Sequence, residues 1–309
     1  MSKGKKIMLS IGSVVIVLVL LLVGIGVKAY VDLSDTVKQT YESVARTNKK
    51  IAAKRVEKVS LTNHEPFSIL LLGVDTGELG RSEQGRSDAM MVATVNPKQG
   101  KTTIVSIARD TYVDIVGYGT TDKINHAYAF GGAGMAMDTV QNYLDIPVDH
   151  YAVINMKGIE ELVAAVGGVE VANEQAFENL GQTFNYGKIT LTSQDVLGYT
   201  NMRYDDPKGD YGRQARQRQV LEAIATKLLT IDGVTKYQEI LNAMEDNLKT
   251  DLSFAEMQTI ATEYHPAFEK LKTDQLQGTG FMQGGVSYQQ VPADELTRVQ
   301  EELKTQLDL

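Results

Sequence analysis

The 309-residue chain has no cysteine and no tryptophan, and it holds only four histidines and six prolines. Without cysteine there is no thiol nucleophile and no thiolate metal site. The compartment stays open, because an oxidising environment permits disulfides without requiring them. Four scattered histidines argue against a zinc site. Positive charge is also scarce: residues 66–309 carry 20 Lys and Arg against 34 Asp and Glu, a net charge of −14. So acidic a body argues against nucleic acid as a partner, and it makes any basic cluster within it informative. Neither a Walker loop nor a Ser-His-Asp order is present. Gly131-Gly132-Ala133-Gly134 lacks the Lys-Ser/Thr of a phosphate loop and reads as a turn leading into a helix.

Charge is missing altogether from Ile7 to Val27, a run of 21 residues. As a helix it would be about 31 Å long, close to the thickness of bilayer hydrocarbon. A cleaved signal peptide is the competing reading, but its apolar core is shorter and ends in small residues. Val27-Lys28-Ala29 is a poor cleavage site, which favours an uncleaved anchor. Lys3, Lys5 and Lys6 place residues 1–6 on the cytoplasmic side, since basic flanks stay inside. The expected organisation is therefore a cytoplasmic tail (1–6), a transmembrane signal anchor (7–27), a juxtamembrane helical stalk (28–65) and an extracytoplasmic domain (66–309). Val37, Val44 and Ile51 recur every seven residues in the stalk, too thin a stripe for a coiled coil, so a solvated helix is expected there.

The domain opens with Phe67-Ser68-Ile69-Leu70-Leu71-Leu72-Gly73-Val74, a continuous apolar run. Ala89 to Val95 and Thr102 to Ala108 are two more, rich in Val, Ile and Thr. Such runs fit strands buried on both faces, and Asn96-Pro97-Lys98-Gln99-Gly100 makes the latter two a hairpin. Helical patterns cover Gly134–Leu144, Met156–Val166, Tyr211–Leu229, Thr235–Leu248, Phe254–Tyr264 and Ala293–Leu307, with a strand at Tyr151–Asn155 and a short helix reaching Thr200. The alternation predicts an α/β fold, a three-layer α/β/α sandwich with a mixed central sheet. Its core motifs span 68–219, and 220–309 reads as a helical C-terminal part.

Two stretches carry charge in places suited to chemistry. Asp75 follows the first strand, Gly85-Arg86-Ser87-Asp88 precedes the second, and Arg109-Asp110 follows the third. Asp75 and Asp88 are hard oxygen donors able to hold Mg²⁺ or Mn²⁺. Arg86 and Arg109 can grip phosphate oxygens in pairs. The second stretch, Met202 to Gln219, holds five basic residues around Asp206-Pro207 and Lys208-Gly209. Asp210 is placed to cap the next helix. Arg213, Arg216 and Gln217 share one side of its first turns, where free N–H groups and the helix dipole already attract anions. Ion pairs and a solvated charged face remain the alternatives. A metal, carboxylates and arginines together are the equipment of phosphoryl transfer, which relies on positioning and charge neutralisation.

Six blocks in order, ILLLGVDTG, GRSDAMMVATVNP, VSIARDTYVDI, KINHAYAFGG, YAVINMKGIEELVAAVGGVEV and MRYDDPKGDYGRQARQRQV, resemble the LytR-CpsA-Psr family of bacterial cell-wall enzymes. The resemblance implies a phosphotransferase acting outside the membrane. It would take a glycopolymer from an undecaprenyl-pyrophosphate carrier and join it to peptidoglycan through a phosphodiester, at the C6 hydroxyl of muramic acid. Teichoic acid, capsule and rhamnopolysaccharide all suit as the polymer. The resemblance makes Asp75 and Asp88 the Mg²⁺ ligands, and Arg86, Arg109, Arg203 and Arg213 the pyrophosphate grip, with Arg216 and Gln217 beside them. Asp75, Asp88 or Asp110 would activate the acceptor hydroxyl, and an apolar pocket would take the prenyl chain. Asn201 stands where many members have arginine, one phosphate contact fewer. Attack by water instead of a sugar hydroxyl, giving a hydrolase, and a binding protein without catalysis are the alternatives.

Overall fold

The computed structural model describes residues 31–36, 38–46, 55, 57–75, 85–203, 205–230 and 233–309. No helix among them is long and apolar enough to cross a membrane, and the expected tail and anchor lie outside them.

Six strands form the central sheet. β1 (Phe67–Val74) and β2 (Ser87–Asn96) are antiparallel, with Leu70 opposite Val92. β2 continues into β3 (Lys101–Ser106) through the expected turn, in which Gly100 takes φ +59° and the Asn96 side chain accepts the Gln99 N–H. A small hairpin follows, β4 (Tyr112–Ile115) with β5 (Thr120–Lys123). Helix α1 (His126–Leu144) kinks at Gly131 and Gly132. Gly132 sits at φ 62°, ψ −157°, a region glycine alone visits freely, so the glycine turn read from sequence lies inside the helix, one turn from its start. β6 (His150–Asn155) runs parallel to β1. Helix α2 (Met156–Ala165) starts where Asn155 accepts the Gly158 N–H and ends in Gly167 and Gly168, both at positive φ.

A small lobe follows: β7 (Val169–Asn173), β8 (Phe177–Asn179), β9 (Gln182–Phe184), β10 (Gly187–Leu191) and α3 (Val196–Asn201). Its core is Phe177, Phe184 and Tyr199 against Val163 and Val220. Then come α4 (Asp210–Thr230), α5 (Gly233–Glu245), β11 (Leu248–Thr250), α6 (Phe254–Glu263), β12 (Leu271–Gln275), the hairpin β13 (Thr279–Gln283) and β14 (Val286–Gln290), and α7 (Ala293–Gln306). The sheet order is β11-β6-β1-β2-β3-β12, mixed parallel and antiparallel, as the sequence led us to expect. Leu70, Leu72, Val92 and Val105 pack on one side against α1 and α7, and Met91, Ala93 and Ile104 on the other towards Leu221 of α4.

Two expectations need correction. Residues 220–309 are not simply helical, for β11 and β12 are the two edges of the central sheet. Leu-Lys-Thr and Leu-Lys-Thr-Asp-Gln are short and polar, as edge strands tend to be, and carry little pattern. The described residues of 28–65 do not form a free stalk. Helical residues 31–36 and 38–40 give way to a strap lying on the domain. Tyr41 bridges to Thr250, and the Glu42 N–H donates to the Thr250 carbonyl at 2.8 Å. Arg46 pairs with buried Asp138 at 2.5 Å and donates to Gln141 and the Val148 carbonyl. Arg55 pairs with Asp149, Lys58 with Glu256, and Val59 and Leu61 are buried. The basic residues of this segment complement the acidic body, a long-range match that no local periodicity reveals.

Candidate active site

The two sides of the sheet differ at the C-terminal ends of β1 and β6. Between α2, α3 and α4 and this end of the sheet lies a cavity of about 280 Å³. Small residues open it: Gly73 and Ala89 face each other across β1 and β2, and a Cβ on Gly73 would come 3.0 Å from that of Ala89. The walls are almost wholly apolar, among them Leu71, Met91, Ile154, Ile159 and Leu221. Thr200, Asn201 and Gln217 supply the polar lining.

Past Gly73 and Ala89 the same strands end in charge. The Asp75 carboxylate accepts the Arg86 N–H at 2.9 Å, closing the mouth of the intervening loop. Asp88 pairs with Arg109 at 2.7 Å. Asp110 is gripped by Lys123 at 2.8 Å, with Arg203 at 3.5 Å. Arg203 also reaches Asp210, at 3.7 Å, while Asp210 takes Arg213 at 2.5 Å and Gln214 at 2.7 Å. Four cations, Arg109, Lys123, Arg203 and Arg213, thus alternate with three carboxylates. The end of β3, the β4–β5 hairpin, the Asp-Asp-Pro turn and the start of α4 each contribute. An anion with two phosphates would find its countercharges already assembled there.

Electrostatics separate the arginines. Burial works against the charge on Arg109, but Asp88, Asp110 and Asp210 outweigh it and hold the guanidinium above its ordinary value. Burial dominates at Arg213, and the repulsion of Arg109 and Arg203 adds to it, so its affinity for a proton falls below the usual level despite Asp210. The Nε of Arg109, the Nε of Arg213 and the Oε1 of Gln217 are buried with no hydrogen-bond partner among the described residues. The two unsatisfied N–H donors, of Arg109 and Arg213, are what an anionic ligand would complete, while the Gln217 oxygen can only accept.

Most of the residues named from sequence come together: Asp88, Arg109, Asp110, Arg203 and Arg213 in the cluster, Asp75 at the loop mouth, Gln217 in the cavity wall. Arg86 is exposed, and its backbone is what meets Asp75. Arg216 is a correction. It is buried facing the small lobe, bonded to Asp206 at 2.6 Å and to the carbonyls of Tyr199 and Met202, and it lies 5.2 Å from the centre of the Phe177 ring. It locks the Asp-Asp-Pro turn to α4, and its hydrogen bonds go to that turn and to α3 and not to the carboxylates of the cluster. Asp210 holds Arg213 by its side chain instead of capping the helix. Asn201 lines the cavity, so its amide takes up a polar position in the apolar chamber. Lys123 was not singled out from sequence, although it stands in the KINHAYAFGG block. Its signal was a lone lysine on a strand ending beside an Arg-Asp pair.

Asp75 and Asp88 are the expected magnesium ligands. Both are oxygen donors at the ends of paired strands. Among the described residues no group of three acidic or histidine side chains surrounds one point. Mg²⁺ commonly takes one or two carboxylates and draws its other ligands from phosphate and water, so this donor set fits an ion that arrives with a diphosphate.

The family model described as the LytR_cpsA_psr family matches residues 28–305, the strap included. An Enterococcus faecalis protein named polyisoprenyl-teichoic acid–peptidoglycan teichoic acid transferase TagU is 59% identical over 308 residues, covering 100% of this chain and 99% of its own. A solved structure from the same organism, described as a transcriptional regulator, is 46% identical with a TM-score of 0.73, covering 82% of this chain and 91% of that one. The structure described as TagT bound to LIIa-WTA is 29% identical with a TM-score of 0.72, covering 86% of this chain and 100% of that one.

Proposed function

Because this chain belongs to the LytR-CpsA-Psr family, we propose that it moves a teichoic acid or similar glycopolymer from an undecaprenyl-pyrophosphate carrier onto peptidoglycan. The observation that carries the reading is an apolar chamber ending at a cluster of four cations. The prenyl tail lies in the chamber and the diphosphate lies on Arg109, Lys123, Arg203 and Arg213.

The acceptor is the C6 hydroxyl of a muramic acid. Its oxygen bonds to the phosphorus that carries the glycan, and the bond from that phosphorus to the bridging oxygen breaks. The prenyl monophosphate leaves, and the hydroxyl proton passes to Asp75, Asp88 or Asp110. The arginines neutralise charge that grows on the bridging oxygen, an effect worth most where water is excluded. Asp75 and Asp88 would hold Mg²⁺, or Mn²⁺, which when bound supplies further charge neutralisation at the diphosphate. Residues 7–27 anchor the chain, with residues 1–6 cytoplasmic and the domain outside, where both substrates meet.

The test uses the full-length protein in detergent with a prenyl-pyrophosphoryl oligosaccharide, peptidoglycan fragments and Mg²⁺. Mass spectrometry should find a glycan-phosphate-peptidoglycan adduct that Arg109→Ala lowers by roughly ten- to a hundredfold, the worth of a lost charge-assisted contact. Prenyl phosphate released without adduct would replace this reading with the hydrolase. Tight binding with neither product would replace it with a binding protein. Asp75→Asn, Asp88→Asn and Asp110→Asn, measured singly over a pH series, identify the proton acceptor.

A further inference from the structure

On the α1 side of the charged cluster the surface is aromatic. Tyr112 of β4 meets Tyr288 of β14 at 4.9 Å between ring centres and Phe281 of β13 at 5.5 Å. Lys123, which grips Asp110, lies 5.7 Å from the centre of the Tyr288 ring, and the Gln289 N–H donates to the Asp110 carbonyl at 2.8 Å. The β13–β14 hairpin, which carries no functional motif, is thereby fixed to the cluster.

A second platform lies beyond. Tyr118, at the tip of the β4–β5 hairpin, and Phe130, at the kink of α1, stack 4.1 Å apart and are 53% and 41% exposed. Polar groups join the platforms. Asp122 accepts from the Tyr288 hydroxyl at 3.4 Å and pairs with His126 Nδ1 at 2.7 Å. His126 in turn lies 5.6 Å from the Phe130 ring, and its Nε2 has no hydrogen-bond partner among the described residues. Tyr112 also borders a depression of about 350 Å³, with Asp114, Thr121, Asn142, Tyr143 and Gln290 around it.

Aromatic faces alternating with amides, hydroxyls and carboxylates suit ligands having apolar flat faces and polar edges. Pyranose rings have that character. Asp114 and Asp122 carry negative charge along the path, which disfavours a polyanionic polymer and leaves the uncharged amino-sugar rings of an acceptor strand. We propose that this strip, from Tyr118 and Phe130 through Tyr112 to Lys123, is the subsite that binds the acceptor's glycan strand and presents its hydroxyl to the cluster. It rests on the transferase reading for the meaning of acceptor, but not for the binding of sugar.

The chain has no tryptophan, so Phe130→Trp provides a single reporter in the full-length protein. The probe is a β-1,4-linked N-acetylglucosamine tetramer, with no diphosphate and no leaving group. Its addition should shift the tryptophan emission, and Tyr118→Ala or Asn142→Ala in that background should weaken binding about tenfold, the worth of one good stacking or hydrogen-bonding contact. In turnover, Tyr118→Ala should raise KM for the peptidoglycan fragment by a similar factor and leave KM for the lipid donor unchanged. An emission shift with lipid vesicles but not with the tetramer would overturn the proposal in favour of a membrane contact. A change confined to the donor's KM would overturn it in favour of the donor's own sugars. Tetramer binding by a protein that makes no adduct would sink the transferase reading and leave the sugar site standing.

Discussion

The two faces of the central sheet are built from alternate residues of the same strands, yet one is solid and the other hollow at one end. Leu70, Leu72 and Val92 meet Met137, Val140 and Leu303 across a continuous core. On the opposite face, Gly73, Ala89 and Ala152 remove side-chain volume, and the helices above stand off. At the far end of this hollow face α6 closes down again, with Tyr264 packed edge-on to Phe67 at 5.4 Å. A protein interior ordinarily fills its space. The same apolar alphabet thus makes a core when large residues face helices closely, and a chamber when small ones do not.

Three substitutions probe that contrast. The largest effect is expected at Leu70→Ala, on the solid face, where a fully buried side chain leaves a void. It should cost about 2–5 kcal/mol in chemical denaturation, with turnover per folded molecule unchanged. Ala152→Phe, on the hollow face, should fill space that two or three methylenes of a lipid would otherwise occupy. That raises KM for a long-chain donor by more than tenfold, about 2 kcal/mol, with little loss of stability and no effect on a short-chain donor. An equal loss of stability in the two variants would show that the chamber is ordinary core.

The smallest effect concerns the closed end. Ser253 and Glu256 form a capping box at the start of α6, and Lys58 of the strap pairs with Glu256. Burial pushes the Glu256 carboxyl up, but hydrogen bonds from Lys58 and Ser253 prevail and draw it down to about 2. Because the folded value lies below the ordinary 4.5, this contribution is present above 4.5 and is lost as pH falls towards 2. Glu256→Gln should therefore cost about 1 kcal/mol at neutral pH, and the gap between variant and parent should close over that acid range.

The solid parts of the fold were legible because they are local. Continuous apolar runs marked β1, β2 and β3, and glycines marked the end of α2. The strap, β11 and β12 were not, since each is defined by a distant partner: Arg46 by Asp138, Lys58 by Glu256, β12 by β3. The site divides in the same way. Asp88, Arg109 and Asp110 stood at strand ends and were readable. Arg213 and Arg216 were not separable, because three residues along a helix leave two side chains about 60° apart. That angle sends one to Asp210 and the other to Phe177 of the small lobe, whose position no helical pattern encodes. Lys123 and the aromatic strip depend on two hairpins meeting, again a fact of tertiary structure.

The strap has a consequence for how the protein searches. Its bridge from Tyr41 to Thr250 lies on β11, the strand whose Leu248 also lines the chamber. With residues 7–27 in the bilayer, as proposed, only a short stretch of chain separates the membrane from that edge. The domain is then a moored body with a fixed berth, not a kite on a line. On that proposal it would meet lipid carriers by sliding in two dimensions, with every carrier arriving at the same height and from the same side. What must be found by three-dimensional diffusion is left to the wall.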